Sequence, residues 1–297
     1  MSRTLANIFD IQRFSIHDGQ GIRTTVFFKG CSLNCQWCQN PESKAPKSQL
    51  YFDQAKCQDC KSCIGSCPSG AISNGAGKSD VDFNMCNDCG QCVESCPNLA
   101  FELLGKSYTE DELLDSCLKD QSFYESSGGG VTLSGGEAVL QSEFLQGFLP
   151  KLKEAGVHIL LETAGNYPFR LLSPLLPYIS HIYIDMKFYS EDKHLKYTGS
   201  SNQLILENLG KLVEMDFPLT VRVPGINGIN TDIDENEKIA SHLNSLGISE
   251  VELLKYNSLW ESKISRIDTA QKQLNISNNE DYLHELKKCY SKYDIRA

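Results

Sequence analysis

Six short apolar runs punctuate the chain, and between them the hydrophobic positions change period. The first, Thr25-Val26-Phe27-Phe28, stops at Gly30, and the others lie at 131–134, 157–163, 181–187, 219–223 and 251–256. Short runs of this kind, bounded by glycine and polar residues, predict buried strands. The intervening stretches repeat apolar residues every three or four positions, which predicts helices over 140–155, 204–215, 234–246 and 281–290. A further helix opens at Thr109-x-x-Glu112, a capping box, with Leu113, Leu114, Cys117 and Leu118 on its apolar face. Strand–helix alternation argues for parallel strands with right-handed crossovers. Six such units predict an α/β fold, an open partial (β/α)6 barrel whose ligand sites lie at the C-terminal strand ends.

Polar residues cluster where those strands stop. The second runs into Gly135-Gly136-Glu137, the third ends in Glu162-Thr163, and the fourth ends in Asp185-Met186-Lys187. The fifth holds Arg222 and the sixth leads to Asn257. Charges that close apolar strands are costly to bury unless they are paired or bound to a ligand. Paired glycines let backbone approach a ligand closely. In an alternating strand Asp185 and Lys187 share a face.

The hydrophobic pattern breaks in the first third, where eleven of the thirteen cysteines fall. Cys31-x3-Cys35-x2-Cys38 supplies three thiolates. That leaves a four-iron cluster one ligand short, and an open coordination position can bind a substrate. A zinc knuckle is the competing reading, but the spacing is unlike zinc's cysteine pairs and no fourth Cys or His follows nearby. Residues 41–56 are polar, contain Pro41 and Pro46, and read as a linker. Two copies of the bacterial ferredoxin run follow, at Cys57, Cys60, Cys63, Cys67 and at Cys86, Cys89, Cys92, Cys96, each closed by proline. In such modules the fourth cysteine crosses over, so Cys96 joins the first three and Cys67 joins the second three. Gly65, Gly70 and Gly90 are expected to let backbone crowd the sulfurs. The expected organisation is 1–48 as the first part of the barrel, 49–104 as a ferredoxin-like insert, and 105–297 as the rest. Cys117 and Cys289 read as buried packing residues.

Net charge is 28 − 38 = −10 over 297 residues. An acidic chain without basic clusters argues against nucleic acid as a partner. With no run of eighteen apolar residues and no apolar leader, neither a membrane span nor export is expected, and the expected location is the cytoplasm. There, so many cysteines suggest metal chemistry rather than disulfides.

Gly19, Gly21, Arg23, Phe27, Gly30, Cys31, Cys35, Cys38 and Asn40 together resemble the signature of the glycyl-radical enzyme activating enzymes. These are a branch of the radical S-adenosylmethionine superfamily that includes the pyruvate formate-lyase activating enzyme. The resemblance runs from about Ile8 to about Tyr256. It implies an oxidoreductase with three 4Fe-4S clusters that cleaves S-adenosylmethionine. The resulting 5′-deoxyadenosyl radical takes a hydrogen atom from a backbone glycine of a partner glycyl-radical enzyme. Electrons would come from a flavodoxin or ferredoxin-type donor, with the insert as relay.

By the same resemblance, Trp37 and Gln39 beside Cys38, the Gly135-Gly136-Glu137 turn, Asp185, Met186, Lys187 and Arg222 contact the cosubstrate. Glu162-Thr163 stands where the pyruvate formate-lyase activator has Asp-Thr beside a monovalent cation. Asn257 stands where that activator has His. Two alternatives stay open on the sequence: a radical enzyme acting on a small molecule or another peptide, and an electron carrier with a barrel appended.

Overall fold

The computed structural model describes residues 4–274, 276 and 280–297. Twelve strands are seen among the described residues: β1 (Ala6–Ser15), β2 (Arg23–Phe28), β3 (Gln49–Phe52), β4 (Ile72–Asn74), β5 (Ser79–Val81), β6 (Phe101–Leu104), β7 (Lys106–Tyr108), β8 (Gly130–Gly135), β9 (His158–Thr163), β10 (His181–Asp185), β11 (Leu219–Gly225) and β12 (Val251–Lys255). The helices are α1 (Ser62–Ser66), α2 (Gln91–Ser95), α3 (Glu110–Leu118), α4 (Gln121–Ser127), α5 (Ser142–Glu154), α6 (Glu191–Thr198), α7 (Gln203–Glu214), α8 (Ile233–Ser245) and α9 (Asp281–Ser291).

Eight strands form one sheet in the order β12-β11-β10-β9-β8-β2-β1-β7. From β2 to β12 the six neighbours are all parallel, while β1 is antiparallel to both β2 and β7. The six parallel strands are the six apolar runs, in chain order, and the sheet does not close. The register sets the two faces. Val131, Leu133, Ile159, Leu161, Ile182, Ile184, Val221 and Val223 face the helices and are almost wholly buried there. They meet Leu145, Phe148 and Leu149 of α5, Leu209 and Leu212 of α7, and Ile239 and Leu243 of α8. Alternation turns Thr132, Ser134, Glu162, Tyr183, Asp185 and Arg222 to the inner face, where the last five contact one another and Thr132 bonds to Arg23 and Asp18.

The ferredoxin-like segment forms a second, smaller core. β3 pairs with β6 and β4 with β5, both antiparallel. Phe52 and Phe101 stack at 4.5 Å, beside Leu50, Ile72, Ala100 and the cysteines Cys63, Cys92 and Cys96. The two short helices begin alike, each after a left-handed residue, Lys61 (φ 65°) and Gly90 (φ 78°).

Several sequence expectations shift. The stretch 41–56 is not simply a linker: Pro41–Ser43 forms a buried 3-10 turn, and Gln49–Phe52 is β3. The run at 181–187 stops pairing at Asp185. The helix expected over 140–155 begins as a 3-10 turn, Ala138–Gln141, before α5. Gly65 and Gly70 have open space around them, so no crowding explains them, and a Cβ on Gly90 would strike Leu103 rather than a sulfur. Cys117 and Cys289 are buried, and the capping box of α3 is formed. Among the described residues no helix is long and apolar enough to cross a membrane.

Candidate active site

The loop after β2 carries Cys31, Cys35 and Cys38, and it is held from four directions. Gly30 and Cys31 donate backbone N–H groups to Ser43 and Lys44 carbonyls at 2.6 and 3.3 Å. Asn34 and Gln36 donate to Thr198 and Tyr197 carbonyls at the end of α6. The Ser32 hydroxyl donates to the Asn166 carbonyl just past β9, at 2.7 Å. Gln271 Nε2 donates to the Cys38 carbonyl at 3.0 Å. Lys44 Nζ reaches the Cys35 carbonyl at 3.0 Å.

The three thiols feel one another's charge, and Cys35 also feels that of Lys187. Burial pushes Cys31 up to about 12 and Cys35 up to about 11, and it raises Cys38 as well. Bare thiolates are therefore disfavoured in this pocket. Lys187 and Lys44 pull the other way, which suits an anionic cluster that brings its own positive iron. Among the described residues no group of three or more His, Cys, Asp and Glu is arranged to hold a single metal ion. The fit to a cluster rests on the donor chemistry: three soft thiols on one loop, gathered in one apolar cluster and in the field of two lysines.

Beneath the loop, the strand ends form a charge network. Arg222 Nη1 donates to Glu162 Oε1 at 2.7 Å, and Arg222 Nε to Asp185 Oδ1 at 3.3 Å. Lys187 Nζ donates to Asp185 Oδ2 at 2.7 Å, and the Ser134 hydroxyl to Glu162 Oε2 at 2.6 Å. The Arg222 guanidinium also lies 5.0 Å over the Tyr183 ring. Burial raises Glu162 despite Arg222 and Ser134. Burial opposes ionisation of Asp185 too, but Lys187 and Arg222 outweigh it and hold that carboxyl below the usual range.

Some expected residues do different work. Gly135 and Gly136 admit a neighbouring strand end: a Cβ on Gly136 would fall 2.3 Å from the Gly30 carbonyl oxygen. Their backbone follows β2 closely, with Gly136 N–H donating to Phe28 and Glu137 N–H to Gly30. The Glu137 carboxylate accepts from the Thr163 hydroxyl at 2.9 Å and from Ala164 N–H at 3.1 Å, so it staples β8 to β9 rather than standing free for an ammonium group. Burial pushes Glu137 up to about 7.

Thr163 thus faces away from Glu162. Glu162, expected beside a monovalent cation, is met by Arg222, which also reaches Asp185, and Lys187 pairs with Asp185. Met186 packs into the main core. Trp37 is buried against Phe188, in the same apolar cluster as Cys35 and Ile226. Gln39 Nε2 donates to the Asn257 carbonyl at 2.9 Å, while the Asn257 side chain accepts from Leu259 N–H and caps the following turn.

In the insert, Cys67, Cys86, Cys89 and Cys92 line one small cavity. Cys63 feels the charge of Cys57 and Cys96, and Cys60 that of Cys57. Reasoning from sequence missed Lys29, Glu42, Lys44, Asn166, Lys263 and Gln271. Lys29 left a signal, a charge set between the first apolar run and Gly30. Gln271 left none, because its contact spans 233 residues.

A partial barrel with a three-thiol loop over polar strand ends is the architecture of the radical S-adenosylmethionine enzymes. A radical SAM methyltransferase from Sphaerobacter thermophilus shares the fold, with a TM-score of 0.54 at 13% identity over 99% of this chain and 76% of that one. Two family models match: a 4Fe-4S single cluster domain at residues 17–67 and 74–206, and a 4Fe-4S dicluster domain at 49–97. The trans-4-hydroxy-L-proline dehydratase activating enzyme of Clostridioides difficile is 41% identical over 288 residues, 95% of each chain. The 4-hydroxyphenylacetate decarboxylase activating enzyme of the same organism is 40% identical over 269 residues, 88% of this chain and 84% of that one. The chain belongs to the glycyl-radical enzyme activating enzymes. It is an enzyme of radical S-adenosylmethionine type that activates a partner glycyl-radical enzyme.

Proposed function

We propose that Cys31, Cys35 and Cys38 hold a 4Fe-4S cluster with one iron free of protein ligands, and that S-adenosylmethionine binds there. The observation that supports this is the set of three thiols on one loop, Cys35 buried and Cys31 and Cys38 half-buried, which share the field of Lys187 with an inner face made of paired charges. Once bound, these groups would supply the chemistry: the reduced cluster would give one electron to the cosubstrate's sulfur–carbon bond, releasing methionine and an adenosyl group able to take a hydrogen atom from a partner glycine. The chain's own part is to hold and to exclude. Lys187 and Arg222 present cations to the cosubstrate carboxylate. The Glu137 carboxylate is held by Thr163 and Ala164, so the Gly135–Gly136 backbone is left as the turn's candidate contact for the ammonium group. Glu162 and Asp185 keep Arg222 aimed into the barrel. The open side of the sheet leaves room for a glycine loop.

In the insert, Cys57, Cys60, Cys63 and Cys96 would hold a second cluster, and Cys67, Cys86, Cys89 and Cys92 a third. Both are fully ligated by protein, which suits a relay from a flavodoxin or ferredoxin-type donor. All thirteen cysteines are free, which supports a reducing cytoplasmic setting. The test is isotopic. With a partner carrying deuterated glycine, label should appear in 5′-deoxyadenosine. Label arriving instead from a small metabolite, with no partner protein present, would refute the reading.

A further inference from the structure

Lys29 is 1 % exposed and stands two residues before Cys31. Its ammonium donates to the Glu42 carbonyl at 2.6 Å and to Gln49 Oε1 at 3.2 Å. Glu42 lies in the turn that closes the three-cysteine loop, and Gln49 opens β3. The methylene stem lies over Gly105, where the insert ends: a Cβ there would sit 2.6 Å from Lys29 Cδ. The negative groups acting on the ammonium are Glu42 and Asp88. Asp88 lies between Cys86 and Cys89, and its carboxylate accepts from Leu50 N–H at 2.7 Å. One side chain therefore touches the catalytic loop, the entry and exit of the insert, and the field of its Cys86–Cys89 turn.

The other side of Glu42 is also fixed. Its carboxylate pairs with Lys263 at 2.6 Å, and Arg266 three residues on donates to the Tyr51 hydroxyl at 2.7 Å. Burying an ammonium against two neutral acceptors costs desolvation that a methionine of similar shape would not incur. Buried charges of this kind fix register more than they add stability.

We propose that Lys29, with Glu42 and Lys263, is the joint that sets the separation between the three-cysteine loop and the Cys67, Cys86, Cys89, Cys92 group. It thereby sets the rate at which electrons cross from the insert to the barrel. Electron transfer weakens steeply with distance, so small slack at the joint is felt as a slower rate. The proposal rests on the insert acting as a relay.

The test uses reconstituted holoenzyme with Lys29→Met. Cleavage of S-adenosylmethionine is driven either by reduced flavodoxin, which must pass electrons through the insert, or by dithionite, which reaches the loop directly. Flavodoxin-driven cleavage should fall about tenfold or more, as for outer-shell changes at metal sites, while dithionite-driven cleavage and iron content stay at the wild-type level. Hydrogen exchange at the Gly30 and Cys31 amides, which bond to Ser43 and Lys44, should speed up. An equal fall with both donors, or no change in either rate, would overturn the joint, as would unchanged exchange. A wild-type enzyme that responds to dithionite but not to flavodoxin would overturn the relay reading itself, and the joint with it. If Lys29→Met fails to load iron, Lys263→Met, on a half-buried partner, should show the same split to a smaller degree; no split would overturn the proposal.

Discussion

Glu137 is a carboxyl whose burial keeps its proton to about pH 7, while the unfolded chain releases it near 4.5. The folded state then binds more protons than the unfolded state between those values, so stability from this group is full below about 4.5 and falls as pH rises to about 7. In the metal-free protein, Glu137→Gln should gain on wild type by up to about 3 kcal/mol between pH 4.5 and pH 8. Urea unfolding at both pH values checks the sign. Arg222 poses the opposite case. Arg222→Met leaves Glu162 and Asp185 without their shared guanidinium and should cost about 3–5 kcal/mol at neutral pH, read from the same titration.

At the scale of elements, the insert's cysteine grouping makes a count. Cys92→Ser should cost about a third of the bound iron and leave dithionite-driven cleavage in place, which iron analysis and product chromatography would show. At α3, Thr109→Ala removes a formed capping box and should lower stability by about 1 kcal/mol, measurable as a lower Tm.

All six parallel strands were legible because each is an apolar run between polar clusters. β1 was not read, although Ala6–Ser15 is ten residues long, because β7 covers it only at Ala6–Ile8 and polar residues such as Asp10, Gln12 and Arg13 stay exposed. The three-cysteine loop announces itself by spacing. Which way Glu137, Thr163 and Met186 point depends on strand register and on the Gly30–Gly136 approach, which no local pattern reports.

For the whole molecule, two cores meet at a narrow seam. Lys29, Glu42, Lys263 and Arg266 lie along it, and the segment after β12 crosses both sides, with Tyr51 bridging to Ile267 and Gln271 bonding to Cys38. Oxidative loss of iron should reach both cores: aerobic handling is expected to bleach the visible absorption and abolish cleavage together, and an air-purified preparation with full activity would contradict the proposed clusters.

Ser48 and Gly105 flank the insert, and they touch, the serine hydroxyl donating to the glycine carbonyl at 2.5 Å. A segment whose two ends meet behaves like a plug-in cartridge. Splicing it out, and joining 48 to 105 through a short turn, would keep the pairing of the eight-stranded sheet and remove Gln49 and Tyr51, the acceptors of Lys29 and Arg266. Swapping cartridges between relatives is then a matter of matching one seam, not of redesigning a fold.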